Sequence, residues 1–391
     1  MNVLIVYMMF WTGLVSFAAT ALGQGNAYLR YGHYVLLLMS SAYCLYLLLQ
    51  RKMIITALSL LIAAYIALRI LAVSSFALSH EYTLPGYLYP LRNWVLLLNF
   101  FVIGQSTVLP RETVNRLIVR MLIITVLVLF AFEVSGFFST HFKPLFPLPS
   151  RIPFVTYRIG IDEFIIVYAY LLLSLKLIRN ELPVPKYLMG TVLILFAFFI
   201  CQTKQILPAI IIVSLFLIGT RCEPYLTRRK VVFTVSFLAV AGAIVSGLYW
   251  VMTNVPHDTY LSLWRRSLAL HYVWEKVNAY PIFGYPIPSN LFGGTIPKDI
   301  IHHFYGFDFY ATIFPSDIPL MFVLAEEGIV GVSFVAALLY LCYRKAPDKA
   351  SYLIIVLLSL VGTFRMYYLV PVGSSFTFFM LGLITKDTTE G

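Results

Sequence analysis

Charged side chains are scarce in this chain. Asp, Glu, Lys and Arg together make up 12% of its 391 residues, and the mean hydropathy is +0.87. A soluble globular protein carries about 25% charged residues. The composition therefore excludes a mainly soluble protein and predicts an all-α integral membrane protein with little room for a soluble domain.

Cysteine and acidic residues are also sparse. The four cysteines, Cys44, Cys201, Cys222 and Cys342, form neither a Cys-x-x-Cys motif nor a disulfide framework. Only 17 acidic residues face 28 basic ones, which gives a net charge of +11. In a soluble protein this excess would suggest nucleic acid as a partner, but here most Lys and Arg fall in short loops that set membrane orientation. Nucleic acid is therefore not an expected partner.

Long apolar runs make up most of the chain. With about 20 residues per span, about twelve transmembrane helices are predicted. They lie near 3–22, 33–50, 53–77, 90–108, 116–138, 161–178, 187–202, 205–220, 230–252, 317–343, 350–366 and 370–386. The first has no basic n-region or cleavage site and is predicted to be a retained helix. The seventh and eighth are interpreted as a hairpin broken at 202–205.

Loop charges orient these segments. Every even-numbered connection is basic, so the positive-inside rule places both termini in the cytoplasm. The connection at 253–316 then lies outside and is far longer than the others. It is rich in Pro, Gly and aromatic residues, with a short helix predicted at 262–278. Long ordered loops are usually functional. We therefore divide the chain into helices one to nine (1–252), the exterior loop (253–316), and helices ten to twelve with a short tail (317–391).

Several cations fall on the exterior side, against the positive-inside rule. Each has a structural alternative: an ion cluster with Asp162 and Glu163, a snorkelling lysine, or solvated loop charges. Together they suggest a site for an anionic ligand, with a phosphate-bearing lipid as the natural candidate, since Arg grips phosphate in bidentate fashion. These cations are Arg158, Lys204, Arg265, Arg266 and Arg365.

Asp317 stands where the long loop enters the tenth segment. It is either an N-cap ahead of Pro319 or a general base facing the exterior cations. The loop's other polar cluster is His302, His303 and Asp308, where a third metal ligand with convincing spacing is missing. The histidines are then solvated or face a substrate. No metal or cofactor is predicted, and these residues alone do not define a reaction.

The loop and tenth segment resemble the O-antigen ligase/polymerase superfamily. In that family a basic residue precedes a helix and a Pro-x-x-Gly turn, and a later helix runs into Glu-x-Gly-x-x-Gly. Here Arg266 stands at the beginning of the loop helix, and Pro281-Ile-Phe-Gly284 supplies the turn. The stretch from Asp317 to Gly331 ends in Glu326-Glu-Gly-Ile-Val-Gly. The match covers about 65 residues closely. Arg158 and Lys204 also resemble basic positions of the family.

The resemblance implies a twelve-helix, GT-C-like membrane glycosyltransferase at the periplasmic face of the bacterial inner membrane. Donor and acceptor would be undecaprenyl-diphosphate-linked oligosaccharides, with a chain-length regulator as a further partner. The cations would hold the diphosphate, Asp317 would take the acceptor proton with inversion, and loop aromatics would stack on sugars: Tyr272, Tyr280, Tyr305 and Phe309. Membrane lipid would surround the bundle.

Two departures from the family pattern bear on the activity. The catalytic histidine of the ligases would fall on Asp317, and the second Gly of the usual Gly-x-Gly after the turn is Pro286. The resemblance therefore favours a polymerase of O-antigen, capsule or exopolysaccharide over a ligase acting on lipid A core. A flippase would need repeat symmetry and charges deep in its helices. The deep charges here are few: Arg69, Glu133, Glu326 and Glu327. The last two precede Gly328 and either cap a helix break there or pair with a buried Arg.

Overall fold

The computed structural model describes residues 25–80, 84–134, 163–179, 181–201, 274, 277–284, 319–346, 351–352, 355 and 371–386. Within these ranges the regular structure is helical, with no strand. We number the eight long helices α1 Gly25–Leu49, α2 Ala57–His80, α3 Leu84–Gln105, α4 Arg111–Val134, α5 Glu163–Ile178, α6 Val184–Cys201, α7 Pro319–Lys345 and α8 Pro371–Ile384.

These helices confirm the all-α class for the described part of the chain. They correspond to eight of the twelve predicted segments, namely the second to seventh, the tenth and the twelfth. The first, eighth and ninth segments and most of the exterior loop lie outside the described residues. Of the eleventh, only residues 351, 352 and 355 are described, and all three are helical. The total of twelve helices and the layout of the large loop stay predictions.

Two stretches of the described helices are long and apolar enough to cross a membrane. They are Ala57–Ser75 in α2 and Glu327–Lys345 in α7, as judged by length and composition. A core helix of a soluble protein would be mostly buried, but only 39% and 33% of these two stretches is buried. Their exposed residues include large apolar side chains such as Leu60, Leu71 and Tyr340. Exposed apolar surface of this kind suggests association with a membrane.

α4 begins before the apolar segment that was predicted from the sequence. The carbonyl of Pro110 accepts hydrogen bonds from the first turn, so the helix begins at a charged stretch. One exposed face then runs through Glu112, Arg116 and Arg120 before it reaches Ile124. The sequence predicted the apolar span from residue 116, whereas the helix itself begins earlier, at Arg111.

Residues 1–210 with 334–391 form one compact unit, and residues 211–333 form a second. In the first unit α8 packs most extensively against α3. Two glycines allow the backbones to approach closely. A Cβ on Gly104 would collide with the carbonyl of Phe379, and a Cβ on Gly382 would collide with the carbonyl of Phe101. Small residues at crossings are typical of helix pairs in membranes.

Polar contacts also join helices in the first unit. The side-chain amide of Asn99 on α3 donates hydrogen bonds to the hydroxyls of Ser40 and Ser41 on α1, at 3.1 and 2.9 Å. The ammonium group of Lys386 donates to the carbonyl of Thr107 at 2.9 Å, just beyond the end of α3. A cation is favourable there because it meets the negative end of the helix dipole.

An aromatic cluster fills the space between α2, α3 and the later part of α7 in the first unit. The rings of Tyr65 and Phe334 stack with their centroids 3.9 Å apart. Trp94 meets both rings edge-on, with centroid distances of 5.0 and 5.6 Å. All three side chains are buried. The two edge-to-face contacts of Trp94 are of the kind that aromatic quadrupoles prefer.

Candidate functional site

Most of the predicted site lies outside the described residues. Of the candidates, the structure describes Tyr280, which is half-buried at the start of the Pro-x-x-Gly turn. The positions of the others stay predictions; they are Arg158, Lys204, Arg265, Arg266, Tyr272, His302, His303, Tyr305, Asp308, Asp317 and Arg365. The structure does describe the junction between residues 277–284 of the exterior loop and α7, within the second unit.

The predicted turn is present. Residues 277–279 are helical, residues 281–283 form a turn, and the amide of Gly284 donates to the carbonyl of Tyr280 at 3.1 Å. Gly284 has a φ of +69°, which glycine adopts without steric cost. Pro281 presets φ on the other side of the turn. The Pro-x-x-Gly pattern therefore gives a rigid turn with local causes.

α7 contains a break at Gly328, which was one of the two alternatives for Glu326 and Glu327. Gly328 has φ +65° and ψ −164°, a combination that is almost confined to glycine. A break of this kind leaves the next amides without their helical acceptors. Here the carbonyls of the turn replace them. The amide of Ile329 donates to Pro281 at 2.9 Å, and the amide of Val330 donates to Ile282 at 3.1 Å. The turn thus caps the helix that resumes after Gly328.

The two glycine-bearing motifs approach too closely for any side chain between them. A Cβ on Gly328 would collide with the carbonyl of Ile282 and lie 2.5 Å from the amide nitrogen of Gly284. These are backbone atoms, so they cannot rotate away as a side chain could. The sequence indicated the turn and the break separately. The contact between them was missed, and the only signal for it was a glycine in each motif.

Buried charge marks the same junction. Glu327, the residue before the break, has 1% of its surface exposed. In the first unit Arg69 of α2 is also buried, with 4% exposed. Charged side chains are rare inside membrane helices, and by default they indicate function. The sequence analysis placed Glu327 and Arg69 among the deep charges. The side chain of Glu326 lies outside the part of the chain that the structure describes.

Within the described ranges no group of three or more His, Cys, Asp or Glu side chains could hold a metal ion. His302 and His303 fall outside these ranges, so the expectation for them is untested.

No family model, curated protein or solved structure matches the chain. Function is therefore inferred from residue chemistry and from the junction between the turn and α7. Two of the predicted site residues stand next to this junction in the sequence. Asp317 stands two positions before Pro319, the first residue of α7, and Tyr280 begins the turn.

Proposed function

We propose that this protein is a glycosyltransferase of the bacterial inner membrane that polymerises undecaprenyl-diphosphate-linked repeat units at the periplasmic face. The product would be O-antigen, capsule or exopolysaccharide. The proposal includes a twelve-helix, GT-C-like bundle, cytoplasmic termini and an exterior site formed by the loop at 253–316. It assigns no metal or other cofactor to the reaction.

The observation that supports this proposal best is the contact between the Pro281–Gly284 turn and the break at Gly328. Both belong to the motifs on which the family resemblance rests, and more than forty residues separate them in the sequence. Two backbone hydrogen bonds join them. Motifs that combine into one junction are more specific than two short patterns found apart, because the close approach of the turn accounts for the glycine at position 328.

The proposed chemistry needs cations and one base. The acceptor hydroxyl oxygen attacks the anomeric carbon of the donor, and the bond from that carbon to the diphosphate oxygen breaks. The bonding pair leaves with undecaprenyl diphosphate, whose added charge would be met by Arg158, Lys204 and Arg266, with Arg265 and Arg365. The acceptor proton passes to the carboxylate of Asp317. Attack from the opposite face inverts the anomeric centre.

The test uses purified full-length protein with a lipid-linked repeat unit, without metal or nucleotide sugar. A ladder of products on a gel would support polymerisation. Arg266→Ala and Asp317→Asn should each lower the rate by about 100-fold or more, as expected when charge stabilisation or a catalytic base is removed. Arg179→Ala is the matched control, since Arg179 is exposed between α5 and α6 and lies on the predicted cytoplasmic side. It should keep full activity.

The other outcomes separate the alternatives. Transfer to added lipid A core without a ladder would identify a ligase with a carboxylate as its base. Neither product, together with flipping of the lipid in liposomes, would place the protein among transporters. A ladder that survives in both Arg266→Ala and Asp317→Asn would refute the proposed site while leaving the polymerase activity in place.

A further inference from the structure

The turn that caps α7 presents apolar side chains instead of polar ones. Ile282 and Phe283 are 59% and 44% exposed, and Ile329, beside them on α7, is 57% exposed. Trp274, shortly before the turn, is 52% exposed. Residues 279–288 contain no charged side chain at all. A loop tip in water is usually polar, so a patch of this kind marks an interaction surface.

Hydrogen bonds attach this patch to a stretch of α7 that is long and apolar enough to cross a membrane. The apolar stretch of α7 that can cross a membrane begins at Glu327, and the turn is bonded to Ile329 and Val330, in the first turn of that stretch. The turn is therefore attached at the Glu327 end of that stretch. It is the periplasmic end in the orientation predicted from the loop charges.

The patch is continuous with the exposed face of α7. Below Ile329 that face continues through Ser333, Ala337 and Tyr340, which are all exposed and recur at helical spacing. In a helix that crosses a membrane, such a face meets lipid. Ile282 and Phe283 add exposed apolar surface next to this end of the helix, and burial of such surface in lipid is favourable.

We propose that the Pro281–Gly284 turn is a membrane anchor whose Ile282 and Phe283 side chains insert into the lipid leaflet at the Glu327 end of α7. The occupant is the bilayer itself, because the exposed apolar patch adjoins an exposed stretch of α7 that is long and apolar enough to cross a membrane. The exterior loop is then held at the membrane surface from both sides of the turn: α7 binds its backbone and lipid binds its side chains. This inference rests on the span of α7 and does not depend on the glycosyltransferase proposal.

The first experiment measures depth in nanodiscs of phosphatidylethanolamine and phosphatidylglycerol. A spin label is placed on Phe283→Cys in full-length protein whose four native cysteines are replaced by alanine. Collisions with oxygen, which concentrates in lipid, are compared with collisions with a water-soluble nickel chelate. Leu60→Cys, at a 59% exposed position in the candidate span of α2, gives the collision ratio expected in lipid. Glu181→Cys, at an exposed position between α5 and α6, gives the ratio expected in water.

We expect the label at position 283 to favour oxygen over the nickel chelate, as at Leu60. A ratio at position 283 equal to that of the label at position 181 would refute the proposed membrane anchor. A second experiment needs no cysteine replacement and so avoids a background that fails to fold: photoactivatable benzoylphenylalanine replaces Phe283 in the otherwise native chain. Crosslinks to lipid acyl chains support the proposal. Crosslinks to a second copy or another protein, or no crosslink to lipid, refute it. Polymerisation is not measured in either experiment, so the proposed function can fail without affecting the result.

Discussion

Gly328→Ala is expected to release the Pro281–Gly284 turn from α7. A non-glycine residue at this φ and ψ costs about 1–3 kcal/mol. The new Cβ would also collide with the backbone of Ile282 and Gly284, which can move only by breaking the two hydrogen bonds to Ile329 and Val330. Each bond contributes about 0.5–1.5 kcal/mol net. The docked state should therefore lose about 2–6 kcal/mol relative to the released state.

Backbone hydrogen exchange measures this equilibrium. A shift of about 4 kcal/mol corresponds to roughly 1,000-fold in the ratio of docked to released turn. In nanodiscs the amides of Ile329 and Val330 should then exchange faster by up to that factor. The other helices should keep their protection, because the loss is local to the junction.

Gly190→Ala is the matched control for this variant. A Cβ on Gly190 would meet only the tip of the Leu173 side chain, 2.6 Å from Cδ1, and this tip can rotate away. Alanine is also about 1 kcal/mol better than glycine inside a helix. The control should leave exchange at Ile329 and Val330 unchanged. The reasoning would be refuted if Gly328→Ala changed that exchange no more than Gly190→Ala does.

Two further changes test the packing of the first unit. Gly382→Ala should separate α3 from α8, because the added Cβ collides with a backbone carbonyl. We expect a lower midpoint of thermal unfolding in detergent. An unchanged midpoint would contradict the close approach of the two helices. Asn99→Leu removes both hydrogen bonds to the serines of α1. Since such bonds in membranes average about 0.6 kcal/mol each, a loss of about 1 kcal/mol is expected in a steric-trap or denaturant titration. A loss above about 4 kcal/mol would mean that Asn99 has a larger role than joining α1 to α3.

The sequence predicted the local features of the junction because their causes are local. Pro281 and Gly284 define a turn by their own backbone preferences, and Gly328 after two acidic residues indicates a break. Their contact depends on how distant segments pack, which neither motif encodes by itself. The same limit applies to the faces of the helices. Leu58 and Leu60 are the same residue type two positions apart on α2, yet 1% of one and 59% of the other is exposed.

The helix bounds show a related limit. Apolar runs located the eight described helices, since a membrane span requires about 20 apolar residues. They did not locate the ends, because a helix continues as long as its backbone bonds are satisfied, even where its side chains become charged. This is why α4 begins at Arg111 and carries Arg116 and Arg120 on an exposed face. The cationic site could be predicted as a set of residues, but its geometry depends on packing that no short pattern contains.

The close packing of α3 on α8 has a consequence for the order in which the protein is made. Lys386 and the Thr107 carbonyl that it binds are 279 residues apart in the chain. Ribosomes add about 5–20 residues per second, so α3 would wait on the order of 10 to 60 s for its partner. During that interval the Gly104 surface of α3 has no cover from α8 and must be shielded by lipid or by the insertion machinery. Completion of this helix pair is thus a late event in biogenesis, and a chain cut short before α8 would carry an unfilled surface that quality-control proteases can recognise.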